Sequence, residues 1–430
     1  MSADPDRPYD AVLLAGFGGP EGPDDVMPFL RNVTRGRGVP DERLAEVAHH
    51  YLALGGVSPI NAQNRALRAA IEDELRRRGI ELPVLWGNRN WAPYLTDTVR
   101  DAAASGRTRL LGVATSAYSS YSSCRQYRED FARALLDSGT LGTVRIDKLR
   151  PYYDLPGFLE PVVDGVAAAI ESAAAAGVSS FDLRVVFTTH SVPLSMAAAS
   201  GGDDDGPLYV AQHQAACVAV MDRIGLRVEG SVGWQLAYQS RSGSPHVPWL
   251  EPDINDVLAA LVADGVRGVV VVPIGFVTDH VEVVWDLDTE AAQTAGSLGL
   301  WYSRVATSGP DPRFVSGLAD LIAQRLDPSL TRTPSSTELR ARPDRCPEHC
   351  CAAARLRPTT AAVDSQSDWA GVDVEPHLLA GSGICGAAAP TGGAADTETP
   401  AGRGATGGTR VPAAVAGGSA IGVTTSPVGV

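Results

Sequence analysis

The chain has 430 residues, 44% of them hydrophobic, and a formal net charge of −14. That length suits two or three domains, and no apolar run approaches the roughly 20 residues that cross a bilayer. An acidic balance of this size argues against nucleic acid or an anionic membrane as a general partner, and leaves room only for a local basic site that takes a small anion. Residues 1–7 are polar and partly acidic, without the basic-then-apolar pattern of a secretory leader, so the cytoplasm is the expected compartment.

Tyr9 to Phe17 reads as a strand, because Ala11-Val12-Leu13-Leu14-Ala15 is apolar and runs into the turn Gly16-Phe17-Gly18-Gly19-Pro20. Asp24-Asp25 marks a helix start, since carboxylates suit the positive end of a helix dipole. Arg31, Arg35 and Arg37 follow as a local basic cluster. A helical pattern covers residues 61–78. Strands are expected at 83–86 and 110–115, and helices at 95–105 and 125–138. This β-α-β alternation predicts an α/β fold with a parallel sheet covered on both faces.

From Pro151 the alternation restarts, with helices expected at 162–176, 208–224, 254–264 and 312–325. Strands are expected at 183–187, 231–237, 266–274 and 300–304. No internal repeat is visible, yet the rhythm predicts two similar α/β halves with a cleft between them. Residues 201–206 read as a loop insertion. Residues 352–430 are Ala, Gly, Thr and Pro with few large apolar side chains. Such a tail buries too little surface to offset chain entropy and is expected to be disordered.

Two strand ends carry ionisable groups. Thr188-Thr189-His190-Ser191-Val192-Pro193 follows the apolar run at 183–187. Pro193 stops strand pairing and disfavours helix at Val192, so His190 belongs at the carboxyl end of a strand, where open α/β sheets bind ligands. The strand at 266–274 ends in Gly275-Phe276-Val277-Thr278-Asp279-His280-Val281-Glu282-Val283-Val284-Trp285-Asp286. If the chain is helical from Asp279, then Asp279, Glu282 and Asp286 share one face. A hydrogen-bonded structural histidine and a solvated acidic helix face are the plain alternatives to a site.

Further blocks accompany these two: Gly55-Gly56-Val57-Ser58-Pro59, Gly87-Asn88-Arg89-Asn90-Trp91, Ser116-Ala117-Tyr118-Ser119, Ala237-Tyr238-Gln239-Ser240-Arg241 and Pro273-Ile274-Gly275-Phe276. In this order, over residues 9 to 325, the chain resembles the ferrochelatase family. The resemblance implies an enzyme of heme biosynthesis that inserts ferrous iron into a porphyrin and releases two protons. It implies two Rossmann-like, chelatase-type domains at 8–150 and 151–332, with parallel sheets and the porphyrin in the cleft. A cysteine-containing extension at 333–351 and the tail at 352–430 follow.

Within the family, His190 and Glu282 correspond to the residues tied most closely to metal insertion. A neutral imidazole can accept a pyrrole proton or hold the arriving iron, and both roles stay open. Carboxylates offer hard oxygen ligands. His190 and Glu282 are expected to face each other across the macrocycle, with Asp279, His280 and Asp286 as an outer relay. Phe17 matches a position where some bacterial relatives place a tyrosine against the metal. Phenylalanine cannot ligate, so its ring is expected to pack on the porphyrin face. Arg35 would bind propionates, since a guanidinium fork matches a carboxylate. Ser58, Tyr118 and Ser119 would donate hydrogen bonds to them, and Tyr238 completes the expected porphyrin-binding set.

The six cysteines include the dense group Cys346-Pro347-Glu348-His349-Cys350-Cys351. In a cytosolic chain this density suggests metal. Some ferrochelatases, including actinobacterial ones, carry a 2Fe–2S cluster on three C-terminal cysteines and one internal cysteine. The resemblance therefore implies Cys124, Cys346, Cys350 and Cys351 as its ligands. The spacing departs from the animal pattern. Zinc on these thiols with His349, or free thiols, are the alternatives. Cys217 reads as core, and Cys385 lies in the tail. High Ala, Gly and Arg content together with the cysteine group suggests an actinobacterial member, and that lineage resembles enzymes that metallate coproporphyrin III. Protoporphyrin IX as substrate, cobalt or nickel insertion, and a non-catalytic tetrapyrrole or metal carrier remain the other readings. A monomer is expected.

Overall fold

β1 (Ala11–Gly16) is buried at every position, which is how a central parallel strand with helices on both faces should read. The structure is a computed structural model and describes residues 7–36, 38–202, 205–228, 230–242, 246–347, 349–352 and 357–360. Arg37, Cys385 and the tail from 361 onward lie outside the described residues.

The first half continues with α1 (Val26–Val33), α2 (Asp41–Ala53), α3 (Ile60–Arg77), β2 (Val84–Asn88), α4 (Leu95–Ala104), β3 (Arg109–Ala114), α5 (Gln126–Asp137) and β4 (Arg145–Lys148). All pairings are parallel, and the strand order is β2-β1-β3-β4. The second half runs through α6 (Pro156–Ala175), β5 (Leu183–His190), α7 (Leu194–Ala198), α8 (Leu208–Gly225), β6 (Gly233–Gln239), α9 (Ile254–Ala263) and β7 (Gly268–Val272). Then come α10 (Val281–Val283), a π-helical stretch Val284–Ala291, α11 (Ala292–Ser297), β8 (Trp301–Arg304) and α12 (Pro312–Leu326). Its parallel sheet has the order β6-β5-β7-β8. In both sheets the first strand in sequence lies between the second and third, and the fourth lies outside the third. The halves thus share a topology although no sequence repeat is visible.

One apolar cluster runs through both halves. It holds Val12 and Leu14 of β1, Phe158 of α6, Phe187 of β5 and Phe314 of α12. α12 packs against α6 and also against α3 of the first half. The last helix of the second half is therefore buried partly by the first.

Several elements were not anticipated. β4 has a single aliphatic residue, Ile146, but its buried polar groups are satisfied: the Asp147 carboxylate accepts from the Tyr9 hydroxyl at 2.8 Å and from exposed Arg145 at 2.7 Å, and Lys148 donates to the Leu149 carbonyl at 2.9 Å. α2 buries Leu44, Ala48 and Tyr51, a helical spacing masked by the charged residues between them. Residues 357–360 belong to the tail expected to be disordered, yet Thr359 and Thr360 are buried. Arg128 of α5 explains this, donating to the Thr360 carbonyl and, at 3.2 Å, to the Thr359 hydroxyl.

Candidate active site

β5 outlasts its neighbour β7. The two pair as far as Phe187 with Val272, while β5 and β6 continue to His190 with Gln239. Thr188, Thr189 and His190 therefore project past the end of β7, and Pro193 ends the strand as expected. The His190 Nδ1 lies against the Ser191 carbonyl. A carbonyl can only accept, so Nδ1 carries the proton, and in the neutral ring Nε2 is left with its lone pair. Nε2 stands 3.9 Å from Oε2 of Glu282, and both side chains are open to solvent, at 33% and 46% exposure.

This distance corrects the expectation that the two face each other across the macrocycle. A ring between them would need a van der Waals spacing of about 3.5 Å on each side. His190 and Glu282 instead form one pair that can address only one face of a planar ligand.

The helix carrying Glu282 begins at Val281, with His280 extended at φ −137°. Asp279 is therefore not helical and does not share a stripe with Glu282. Arg304 grips it instead, at 3.1 and 3.3 Å, and also grips Asp288. From Val284 to Ala291 the helix is π-type. Glu282 and Glu290 lie four residues to either side of Asp286, and the charges of both bear on its carboxyl, so the three form an acidic row. Glu290 was not anticipated, although its spacing from Glu282 and Asp286 could have marked it. Asp286 accepts Gln239 Nε2 at 3.1 Å and the Ser240 hydroxyl. Burial pushes its carboxyl up to about 7 against those hydrogen bonds, with the Glu282 charge adding to the rise. Ser240 reaches Asp286 from a left-handed backbone at φ 60°. Burial lowers the His280 imidazole below its ordinary range, and the Glu282 charge opposes this.

The expected porphyrin contacts separate into two groups. Phe17 is half-buried beside Phe29 and Trp91 of the first half and Val281 of the second. Its ring is edge-on to Phe29 at 6.3 Å, and the Arg89 guanidinium lies 5.9 Å from it. Arg35 is exposed and Tyr238 is buried. Arg31 is engaged by Asp41 at 2.7 Å. Ser58 is buried under the glycine turn, where a Cβ on Gly19 would come within 2.6 Å of it. Tyr118 and Ser119 face inward. The Tyr118 hydroxyl donates to the Ile274 carbonyl at 2.9 Å, and Ser119 is bonded twice to Gln212, at 2.7 and 3.0 Å.

Cys124, Cys346, Cys350 and Cys351 meet in one buried cluster. Cys350 Sγ and Cys351 Sγ are 3.8 Å apart, and the Gly201 N–H donates to Cys351 Sγ at 3.2 Å. The hydrogen bond with Cys346, together with burial, pushes the Cys124 thiol well up. Cys346 lowers the Cys350 thiol, but Cys351 and burial outweigh it and push Cys350 up to about 12. His349 is exposed, and Cys217 is buried in the main core. Among the described residues, no group of three or more His, Cys, Asp or Glu side chains is arranged to hold a metal ion.

Parallel strand ends, an imidazole lone pair beside a carboxylate, and a row of acids behind them define an α/β protein equipped to handle a cation and protons. The ferrochelatase family model matches residues 9–326. The chain is 53% identical over 361 residues to the coproporphyrin III ferrochelatase of Leifsonia xyli subsp. xyli, covering 81% of this chain and 92% of that one. It is 52% identical over 370 residues to the Streptomyces coelicolor protein of the same name, covering 83% and 97%. Against a ferrochelatase of Rhodopirellula baltica the identity is 45% over 355 residues, covering 82% and 96%. The chain belongs to the ferrochelatase family.

Proposed function

We propose that this chain inserts ferrous iron into coproporphyrin III, releasing two protons, as a step of heme biosynthesis. The observation that carries this reading is the His190–Glu282 pair, 3.9 Å apart, which joins the end of β5 to the helix that follows β7. A free-base porphyrin holds two pyrrole N–H protons, and both leave as Fe²⁺ enters. The His190 Nε2 lone pair takes a proton from the ring face it addresses. Glu282 offers oxygen to the incoming iron or to the second proton. Asp286, with its carboxyl near neutrality, passes protons outward along the acidic row. Asp279, tied to Arg304, shapes this relay more than it carries protons. His280 caps the helix that presents Glu282. Phe17 offers an apolar edge to the macrocycle. Arg35 is free to reach a propionate, and Ser58, Tyr118, Ser119 and Tyr238 support the cleft walls.

The substrate preference rests on similarity to relatives named for coproporphyrin III. Steady-state iron insertion into coproporphyrin III and protoporphyrin IX tests it, and a strong preference for protoporphyrin IX overturns it. His190→Ala separates an enzyme from a carrier. Insertion should fall at least a hundredfold while porphyrin fluorescence quenching still reports binding, and unchanged turnover would sink the assignment.

The four clustered thiols match a 2Fe–2S cluster in ligand number, though not in an arrangement already set around a metal ion among the described residues. Cys124, Cys346, Cys350 and Cys351 would hold it, and the Gly201 N–H already donates to one of the sulfurs. Such a group supplies one-electron chemistry, which iron insertion does not need. Iron and sulfide content with a visible spectrum of anaerobically purified protein tests this. A cytoplasmic setting fits the free cysteines among the described residues. No described helix is long and apolar enough to cross a membrane. A monomer with domains near 8–150 and 151–332 completes the proposal, and light scattering checks the mass.

A further inference from the structure

α8 presents Tyr209, Gln212 and His213 on one face, since residues three and four apart are neighbours on a helix. All three are buried. The face looks in two directions, toward the end of β5 and toward the Tyr118-Ser119 loop of the first half.

Toward β5, three protons serve four contacts. His213 Nδ1 lies 2.6 Å from the Tyr209 carbonyl, which can only accept, so Nδ1 carries the hydrogen. His213 Nε2 is then an acceptor, and Thr189 Oγ1 donates to it at 2.9 Å. Burial holds this imidazole neutral, its titration lowered to about 3. With the Thr189 proton committed to His213, the single Tyr209 hydroxyl proton is shared between two acceptors, the His190 carbonyl at 2.8 Å and the Thr189 oxygen at 2.9 Å. The following peptide is held from the other side, where Ser191 N–H donates to the Gln239 carbonyl at 2.8 Å. There is no slack behind Thr189, because a Cβ on Gly275 would come within 2.1 Å of its hydroxyl.

Toward the first half, the Tyr118 ring stacks on His213 at 3.6 Å and 13°, and Ser119 is bonded to Gln212 through both backbone and side chain. The His213 ring is thus held by both halves of the molecule.

From this geometry we infer that Tyr209, Thr189 and His213 are positioning residues for His190: a buried hydrogen-bond chain that aims its Nε2 at the reacting face and links that aim to the Tyr118-Ser119 loop. None of them touches the reacting atoms. Their effect is on the orientation of the imidazole. The inference rests on the reading of His190 as the group that acts on the porphyrin.

The test is a set of variants assayed for ferrous iron insertion into coproporphyrin III, with porphyrin affinity measured separately by fluorescence quenching. Tyr209→Phe keeps the ring and removes the proton shared with the His190 carbonyl. Its kcat should fall about ten- to a hundredfold, as misplacement of a reacting group does, while porphyrin Kd stays within twofold. Thr189→Val should show the same split, and Thr189→Ser, which restores the hydroxyl, should regain most of the lost turnover. Combining Tyr209→Phe with Thr189→Val should cost little more than either alone, because the two break one chain. Wild-type kcat in Tyr209→Phe, or a Kd that worsens in step with kcat, overturns the positioning role. Equal loss in Thr189→Ser and Thr189→Val does the same. Full activity in His190→Ala overturns instead the reading on which the inference stands.

Discussion

Asp286→Asn isolates the one carboxyl in the acidic row that the fold forces toward neutrality. Asp286 is half-buried, and burial raises its carboxyl from the ordinary 3.8 to about 7. The folded protein therefore binds a proton that the unfolded chain has released across that interval. Stability from this group is fully present below the ordinary value and is lost as the pH rises through the raised one. A tenfold difference in proton affinity between the two states is worth about 1.4 kcal/mol, so integrating between about pH 5 and about pH 8 gives a loss of at most about 3 kcal/mol. Asparagine stays neutral throughout and can still accept from Ser240 through its carbonyl. The stability of the variant relative to wild type should therefore climb as pH rises across this window. Urea unfolding midpoints of both proteins at several pH values read this directly. A difference that stays flat, or that falls toward alkaline pH, would refute the claim that burial controls this carboxyl. The same variant should lower iron insertion, because an amide cannot relay a proton.

Glu282→Gln keeps the side-chain shape and removes the charge nearest His190. Iron insertion should fall by a hundredfold or more, in line with loss of an acid–base group, with porphyrin binding retained in a fluorescence titration. It should also relax Asp286 toward lower pH, since the Glu282 charge contributes to its rise. Arg304→Ala leaves Asp279 and Asp288 without the cation that grips both, and breaking a largely buried pair costs roughly 3 kcal/mol. Thermal unfolding should show that loss while turnover per folded molecule falls far less than in Glu282→Gln. An equal collapse of both would return Asp279 to the proton path.

The position of His190 was readable because two local signals agree: an apolar run makes a strand, and Pro193 ends it. Its partnership with Glu282 was readable only as a pairing of residue types. Their distance depends on β5 and β7 being adjacent strands of different length, which no local pattern encodes. The helix after His280 illustrates a second limit. Its acidic spacing was legible, but the π-type ladder from Val284 to Ala291 was not. A helix start set two residues early draws Asp279 into the stripe. Tyr118 and Ser119 looked available because hydroxyls in a loop do, yet their partners Ile274 and Gln212 lie 156 and 93 residues away. Cys124 lies 222 residues before Cys346, so the meeting of the four thiols could be proposed only from resemblance.

The shared strand order of the two sheets makes the asymmetry between their chemistries informative. Each sheet has its first strand in sequence at a central position, and each such strand ends in a loop at the carboxyl side. At the end of β5 that loop carries His190, and the neighbouring β7 leads to Glu282 and Asp286. At the end of β1 it carries Gly16 and Phe17, and the neighbouring β3 leads to Tyr118, whose hydroxyl is spent inside the core. One half therefore contributes lone pairs and carboxylates, while the other contributes apolar rings: Phe17, Phe29 and Trp91. A macrocycle with apolar faces and polar inner nitrogens needs both kinds of surface. The α8 face that joins Tyr118 and Ser119 to Thr189 and His190 is then the part of the fold that keeps the two surfaces in register.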